Sequence, residues 1–370
     1  MQRKIGILTF HNVPNYGAAL QAYALKSYLE GISENTVSVI DYKGCGNGSE
    51  FEPDNVLNSY CKSSSPVKTL IKKIFYSVKL APDYRKKYKK FEKFRNDFLR
   101  LDRIENIEQY DMLFYGSDQI WNPEITNGYD EIFFARFPNS DKIKNIAYSA
   151  SCGDMSIIEK YGVPAFLGKL KNFDEIGVRE KSLQQFLADN RIQSVQTVDP
   201  SFLISKEQYC KLLNIKDEPH EKYIFVYELH NNKLLETAAK AISERLKCKI
   251  VTVYGNINYS KHDSNNVFNA GPIEFIKYIA GAEYVLTNSF HGMAFSLIFK
   301  KNFNIVLPPS RTSRITDLLN QINSKDRIIT KETDICTESI DYSKVEPLLS
   351  EKIDQSKNYI NKAIFGNINE

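Results

Sequence analysis

Short runs of β-branched and aromatic residues alternate along the chain with segments whose apolar positions recur every three to four residues. The first run, Lys4-Ile-Gly-Ile-Leu-Thr-Phe10, leads into a helical pattern from about Gly17 to Leu29. The alternation recurs at Thr36 to Tyr42, Tyr110 to Gly116 and Asn145 to Ser151. A second series follows at Tyr223 to Leu229, Lys249 to Tyr254, Glu283 to Thr287 and Phe303 to Leu307. Strands separated by helices predict parallel sheets, because a parallel neighbour needs a crossover long enough to hold a helix. Two such series, meeting near Val198-Asp-Pro-Ser201, predict an α/β protein with two Rossmann-like domains facing each other across a cleft. The expected division is 1–195 and 196–340. A last helix, about Ser343 to Ala363 within 341–370, is expected to pack back on the body.

A basic segment at about 62–103 interrupts the first series. Val67, Leu70, Ile71, Ile74, Phe75 and Val78 fall on one helical face, with Lys68, Lys72, Lys73 and Lys79 elsewhere. A second helix places Tyr84, Tyr88, Phe91, Phe94 and Phe98 on one face among Lys and Arg. Lys62 to Arg103 holds 14 basic and 4 acidic residues, so it is strongly basic although the whole chain carries only +4. The plain reading is a helical insertion packed on the first domain; the sharper one is peripheral contact with anionic lipid. Nucleic acid is not an expected partner.

The chain has 370 residues, 42% hydrophobic and 25% charged, which excludes collagen-like and disordered classes. Only six largely apolar residues, Ile5 to Phe10, follow Met1-Gln-Arg-Lys, too few for a secretory signal core. The longest uncharged stretch, Tyr284 to Phe299, contains Thr287, Asn288, Ser289 and His291, so no membrane span is expected. Six cysteines without a C-x-x-C pair, and only five histidines, predict cytoplasmic thiols and no dedicated metal site; Mg²⁺ carried by a substrate stays open.

In open parallel sheets ligands bind beyond the carboxyl ends of strands, so those loops carry the candidate chemistry. The first contains His11, Asn12, Asn15 and Tyr16 before a Gly17-opened helix; a capped turn is the alternative. It lacks dinucleotide glycine spacing, and no P-loop occurs in the chain. The second, Gly116-Ser-Asp-Gln-Ile-Trp-Asn122, offers Asp118, Gln119, Trp121 and Asn122 as a sugar-facing set, with Asp118 as a helix cap the alternative. In the third, Thr287-Asn-Ser-Phe-His-Gly292, a strand ends and a helix begins near His291, combining an anion-favouring helix start with an imidazole that exchanges protons near neutrality. Arg179 at another strand end, with Arg311 and Arg314 before a later helix, are candidate phosphate or carboxylate ligands.

Taken in order, Asn15-Tyr-Gly-Ala-Ala-Leu-Gln21, Gly116 to Asn122, Ile146-Ala-Tyr-Ser-Ala-Ser151, Val178-Arg-Glu-Lys-Ser182, Val198-Asp-Pro-Ser-Phe202 and Thr287 to Gly292 resemble the polysaccharide pyruvyl transferase family. The resemblance implies a fold similar to GT-B glycosyltransferases. It also implies transfer of the enolpyruvyl unit of phosphoenolpyruvate to a sugar acceptor, lipid-linked or polymeric, with no cofactor. The family histidine and the Val-Arg-Glu arginine map to His291 and Arg179. Many members carry arginine where this chain has Ser289, so Arg311 or Arg314 supplies the missing charge or the donor pocket differs. In the implied chemistry His291 is the acid, Asp118 or His11 the base, and Arg179, Arg311, Arg314, Ser289 and Gly292 hold the donor. His11, Asn12, Asn15, Tyr16, Gln119, Trp121 and Asn122 are assigned to the acceptor. A cytoplasmic protein, peripheral at the inner membrane face, is the expected setting. A nucleotide-sugar glycosyltransferase and a non-catalytic glycan-binding or assembly protein are the competing readings.

Overall fold

The computed structural model describes residues 2–32, 34–44, 52–53, 55–56, 69, 81–215, 221–255, 266–308 and 312–366. The first sheet contains β1 (Lys4–Leu8), β2 (Thr36–Asp41), β3 (Leu101–Arg103), β4 (Met112–Tyr115), β5 (Lys144–Ala150), β6 (Glu175–Val178) and β7 (Val195–Gln196). The second contains β8 (Tyr223–Glu228), β9 (Lys249–Tyr254), β10 (Asn266–Val267), β11 (Tyr284–Thr287), β12 (Asn302–Val306) and β13 (Ile328–Ile329). Their orders are β3-β2-β1-β4-β5-β6-β7 and β10-β9-β8-β11-β12-β13, and the ladders are parallel. Both are Rossmann-like, each reversing direction once, between β1 and β4 and between β8 and β11. Register sets Leu8 level with Tyr115 and Thr287 level with Tyr227, so the loops after these strands leave from a common edge. β7 extends the first sheet to residue 196, so the connection toward the second sheet starts at Thr197.

The central strands are buried on both faces, as in Ile5, Ile7 and Leu8 of β1 and Val285 and Leu286 of β11, because crossover helices cover the sheets. Helix Tyr342–Phe365 starts against the second unit, where the Tyr342 hydroxyl donates to the Lys301 carbonyl (2.7 Å). It ends on the first unit, where Tyr359 donates to the Ala147 carbonyl (2.8 Å) and Arg3 to that of Ile364.

In the basic segment, the helix expected around Ile71 lies outside the described residues. The second helix, Ala81–Phe98, packs its aromatic face inward, with Phe91 against Tyr16 and Phe94 against Tyr23. It touches both units. Lys87 is buried and donates to the carbonyls of Tyr254 (3.1 Å) and Gly255 (2.8 Å) at the end of β9, Asn269 donates to Asp83 (2.8 Å), and Lys90 pairs with Glu274 (2.6 Å). Among the described residues no helix is long and apolar enough to cross a membrane, and no group of three or more His, Cys, Asp or Glu side chains is arranged to hold a metal ion.

Burial pushes the Lys87 ammonium down to about 7. Between that pH and the ordinary lysine range the folded chain holds fewer protons than the unfolded one, so this residue makes stability rise with pH there. Urea unfolding of wild type and Lys87→Met should therefore diverge between pH 7.5 and 9.5, wild type gaining up to about 1.4 kcal/mol per pH unit relative to the variant. Parallel curves would contradict the buried geometry.

Candidate active site

The loops at the two reversal points converge on one cluster of charge. The first unit supplies Ser117 and Asp118 after β4, Arg179 and Glu180 after β6, and Asp199 from the connection; the second supplies Ser289, Phe290 and His291 after β11. Arg314, in the first turn of helix Ser313–Gln321, reaches from the second unit toward Asp118.

Asp199 is the hub. Its side chain has no exposed surface; Oδ2 accepts from Arg179 Nη1 (3.1 Å) and Ser117 Oγ (3.2 Å) and lies 3.6 Å from His291 Nε2, while Oδ1 accepts from the Ser201 N–H (3.0 Å) and Oγ (2.7 Å). Burial alone would raise its pKa, yet His291, Arg179 and the Ser201 N–H hold it far below the usual carboxylate range. Arg179 also lies near Glu180 (3.5 Å) and Asp118 (3.9 Å). Burial opposes its charge, and Glu180, Asp199 and Asp118 more than offset that, leaving its pKa raised. Glu180 in turn accepts from Ser151 Oγ (2.6 Å).

Arg314 is less well compensated. It is 4.0 Å from Asp118, and its pKa is pushed down to about 10, first by burial and then by Arg179. Both guanidinium groups lie over the Phe290 ring, at 5.6 Å for Arg179 and 5.3 Å for Arg314. Arg179 Nη2 and Arg314 Nε and Nη1 are buried without a hydrogen-bond acceptor, as is the His291 Nε2 atom. Buried N–H groups in this state are a standing cost that an anionic ligand would relieve. A half-open space beside them is lined by Gln196, Phe202, Asp317, Gln321, Lys352 and Gln355 together with Arg179 and Arg314.

The remaining expected residues fall into different places. Ser289 precedes the helix Phe290–Ile298 and donates its backbone N–H to Thr287 Oγ1 (3.1 Å), and Gly292 packs against Thr287, where a Cβ would overlap the Thr287 side chain. Arg311 lies outside the described residues. The acceptor set does not form a surface. Trp121 has no exposed area, donates its indole N–H to Phe133 (3.1 Å) and stacks on Phe134, so it is core rather than a sugar platform. Asn122 and Gln119 are buried and bonded to each other (2.8 Å). Asn15 caps the helix Tyr16–Gly31, and Tyr16 stacks on Phe275 while donating to the Ala270 carbonyl (2.9 Å). The Asn12 carbonyl receives Arg95 (2.9 Å). His11 is buried with its two ring nitrogens 3.1 Å from the Thr9 carbonyl and from Asp41, which leaves it no free nitrogen to act as a base.

Four residues of the cluster were not singled out as site residues from the sequence: Asp199, Glu180, Phe290 and Gly17. Val198-Asp-Pro-Ser201 reads as a junction, and only the fold shows its carboxylate turned into the site. Gly17 matters through what it lacks, because a Cβ there would overlap the His291 imidazole.

In an ordinary helix Gly→Ala stabilises by up to about 1 kcal/mol. At Gly17 the same change should lower the melting temperature, and adding His291→Ala should restore it, since the double variant removes the overlap. Stabilisation by Gly17→Ala alone would place the imidazole elsewhere.

The fold resembles solved structures of nucleotide-sugar enzymes. The putative UDP-N-acetylglucosamine 2-epimerase of Listeria monocytogenes superposes with a TM-score of 0.51 at 8% identity, covering 100% of this chain and 98% of that one. The UDP-GlcNAc 2-epimerase of Neisseria meningitidis, solved with UDP-GlcNAc, gives 0.50 at 10% identity, covering 99% and 100%. These likenesses establish the GT-B-type arrangement of two Rossmann-like units and nothing about substrate. No curated protein matches the chain in sequence. The family described as polysaccharide pyruvyl transferase matches residues 15–308, a span that contains the Asp118, Arg179, Asp199 and His291 cluster, and the chain belongs to that family.

Proposed function

We propose that the protein moves the enolpyruvyl unit of phosphoenolpyruvate onto hydroxyl groups of a sugar, in a surface polysaccharide or its lipid-linked precursor, and closes a pyruvate ketal without a resident cofactor. The observation that carries this reading is the set of unpartnered guanidinium N–H groups of Arg179 and Arg314 stacked on Phe290, in the same cluster as His291. A donor with a phosphate and a carboxylate offers two anionic groups to two guanidinium forks.

In the proposed sequence His291 protonates the methylene carbon of the donor, giving an oxocarbenium-like centre that a sugar hydroxyl attacks. Asp118, whose side chain is 19% exposed, takes the hydroxyl proton. The C–O bond to phosphorus-bearing oxygen then breaks, and a second hydroxyl of the same sugar adds to close the ketal. One hydroxyl proton is thus accounted for in the new methyl group and the other in the released phosphate. Arg179 and Arg314 balance the charge that collects on the leaving phosphate.

The exposed face of helix Ala81–Phe98, including Lys86 and Lys89, is the proposed contact with anionic lipid at the inner membrane face, where a lipid-linked acceptor would be met.

Phosphoenolpyruvate should raise the melting temperature beyond the shift given by phosphate alone. Arg179→Ala and Arg314→Ala should each weaken that binding about 10-fold or more, the loss expected for a charged hydrogen-bonded contact. A shift only with nucleotide sugars would replace this reading by glycosyl transfer. His291→Ala should lower turnover about 100-fold, and retention of more than about a tenth of the rate would remove it as the acid. In sedimentation, the protein should follve vesicles containing phosphatidylglycerol and remain in the supernatant with phosphatidylcholine alone; equal partition would discard the membrane contact.

A further inference from the structure

The Asp199 carboxylate is more elaborately anchored than any other group in the cluster. Ser201 fixes Oδ1 through its N–H and its hydroxyl, and Ser117 fixes Oδ2 from the end of β4. Oδ2 also accepts from Arg179 Nη1 (3.1 Å) and lies 3.6 Å from His291 Nε2, which belongs to the second unit. On the other side of the imidazole stands Gly17, whose missing side chain makes the space that the ring fills. The ring is therefore confined between a helix start in the first unit and a carboxylate in the connection between units. Asp199 is the nearest of three carboxylates around Arg179; Glu180 at 3.5 Å and Asp118 at 3.9 Å remain beside the guanidinium when Asp199 is altered.

We propose that Asp199 is the positioning residue for His291: a rigidly held carboxylate that, with Gly17 opposite, sets the imidazole in place across the boundary between the two units. Its catalytic consequence rests on the reading of His291 as the acid, while its structural content does not. The 3.6 Å separation exceeds a formed hydrogen bond, as is common for catalytic pairs before substrate binds. Asp199 touches no substrate in this scheme. It acts through His291.

The test compares wild type with Asp199→Asn, which keeps the shape and removes the charge. Crystal structures of both at one pH should show the imidazole facing residue 199 in wild type and turned from it in the variant. Phosphate affinity, measured by calorimetry, should stay within about threefold or tighten, because the arginines remain and one negative charge is gone. With phosphoenolpyruvate and acceptor, kcat should fall by about 30-fold or more without a rise in KM, a split that general loss of structure would not give. An imidazole that stays in place in the variant overturns the proposal whatever happens to the rate, and so does a turned ring with an unchanged rate. If wild type does not turn over phosphoenolpyruvate, the reaction assignment fails, and the two crystal structures still decide whether Asp199 positions the ring. Should Asp199→Asn not fold, Ser201→Ala and Ser117→Ala each release one oxygen of the carboxylate. They should displace the ring in part; an unmoved ring in both would equally overturn the proposal.

Discussion

A carboxylate with no exposed surface must be compensated where it stands, and Asp199 draws its compensation from both halves of the molecule. Removing one partner of such a group costs several kcal/mol, because it strands a buried charge, about 3–5 kcal/mol in measured cases. The rest of the site follows from this constraint. Arg179 is held by Asp199 at the end of β6, and His291 comes to the same oxygen atom from the end of β11, so one carboxylate faces cations from both units. Charge balance does here what shape complementarity does elsewhere in the interface.

The remainder of that interface is built differently. Tyr16, Phe91, Phe275 and Tyr227 form a continuous aromatic contact, with Tyr16 stacked on Phe275 at 4.5 Å and edge-on to Tyr227 at 5.6 Å. Such contacts are short-ranged and already complete, so they hold the units together without a ligand. At the site the polar partners are incomplete: three guanidinium N–H positions and an imidazole nitrogen lack acceptors. Five of the buried polar atoms without a partner among the described residues, Glu180 Oε2 included, thus lie at one end of a well-packed seam, where the aromatic side supplies the stability that the charged side does not.

The long strands were legible because fully buried parallel strands read as continuous runs of β-branched and aromatic residues. β3, β7, β10 and β13 were not, since two or three residues carry no periodicity and their pairing is set by the neighbouring strand. Strand-end position likewise identified His291, Arg179 and Asp118, because the topology places every such loop on one edge, whereas Arg314 was identified by its place before a later helix. It does not say which way a side chain turns. Trp121 follows β4 as closely as Asp118 does, yet its large apolar surface is better buried against Phe134 and Phe173 than left at a ligand edge. Asp199 lies in Val198-Asp-Pro-Ser-Phe202, one of the motifs that carry the resemblance, but a residue in a connection between two units follows no strand or helix period, and its role emerges only when distant elements converge on it.

The same electrostatics explain how the chain accommodates serine at position 289. Two guanidinium groups already share the Phe290 ring, and Arg179 depresses the pKa of Arg314 to about 10 by repulsion added to burial. A third guanidinium beside Phe290 would raise that repulsion further. Ser289 instead is buried at the helix start with its N–H donated to Thr287 Oγ1 (3.1 Å). Arg314 reaches the same ring from a separate helix, and its approach to Asp118 spans the two units, so the second guanidinium depends on the seam between the units as well as on its own helix.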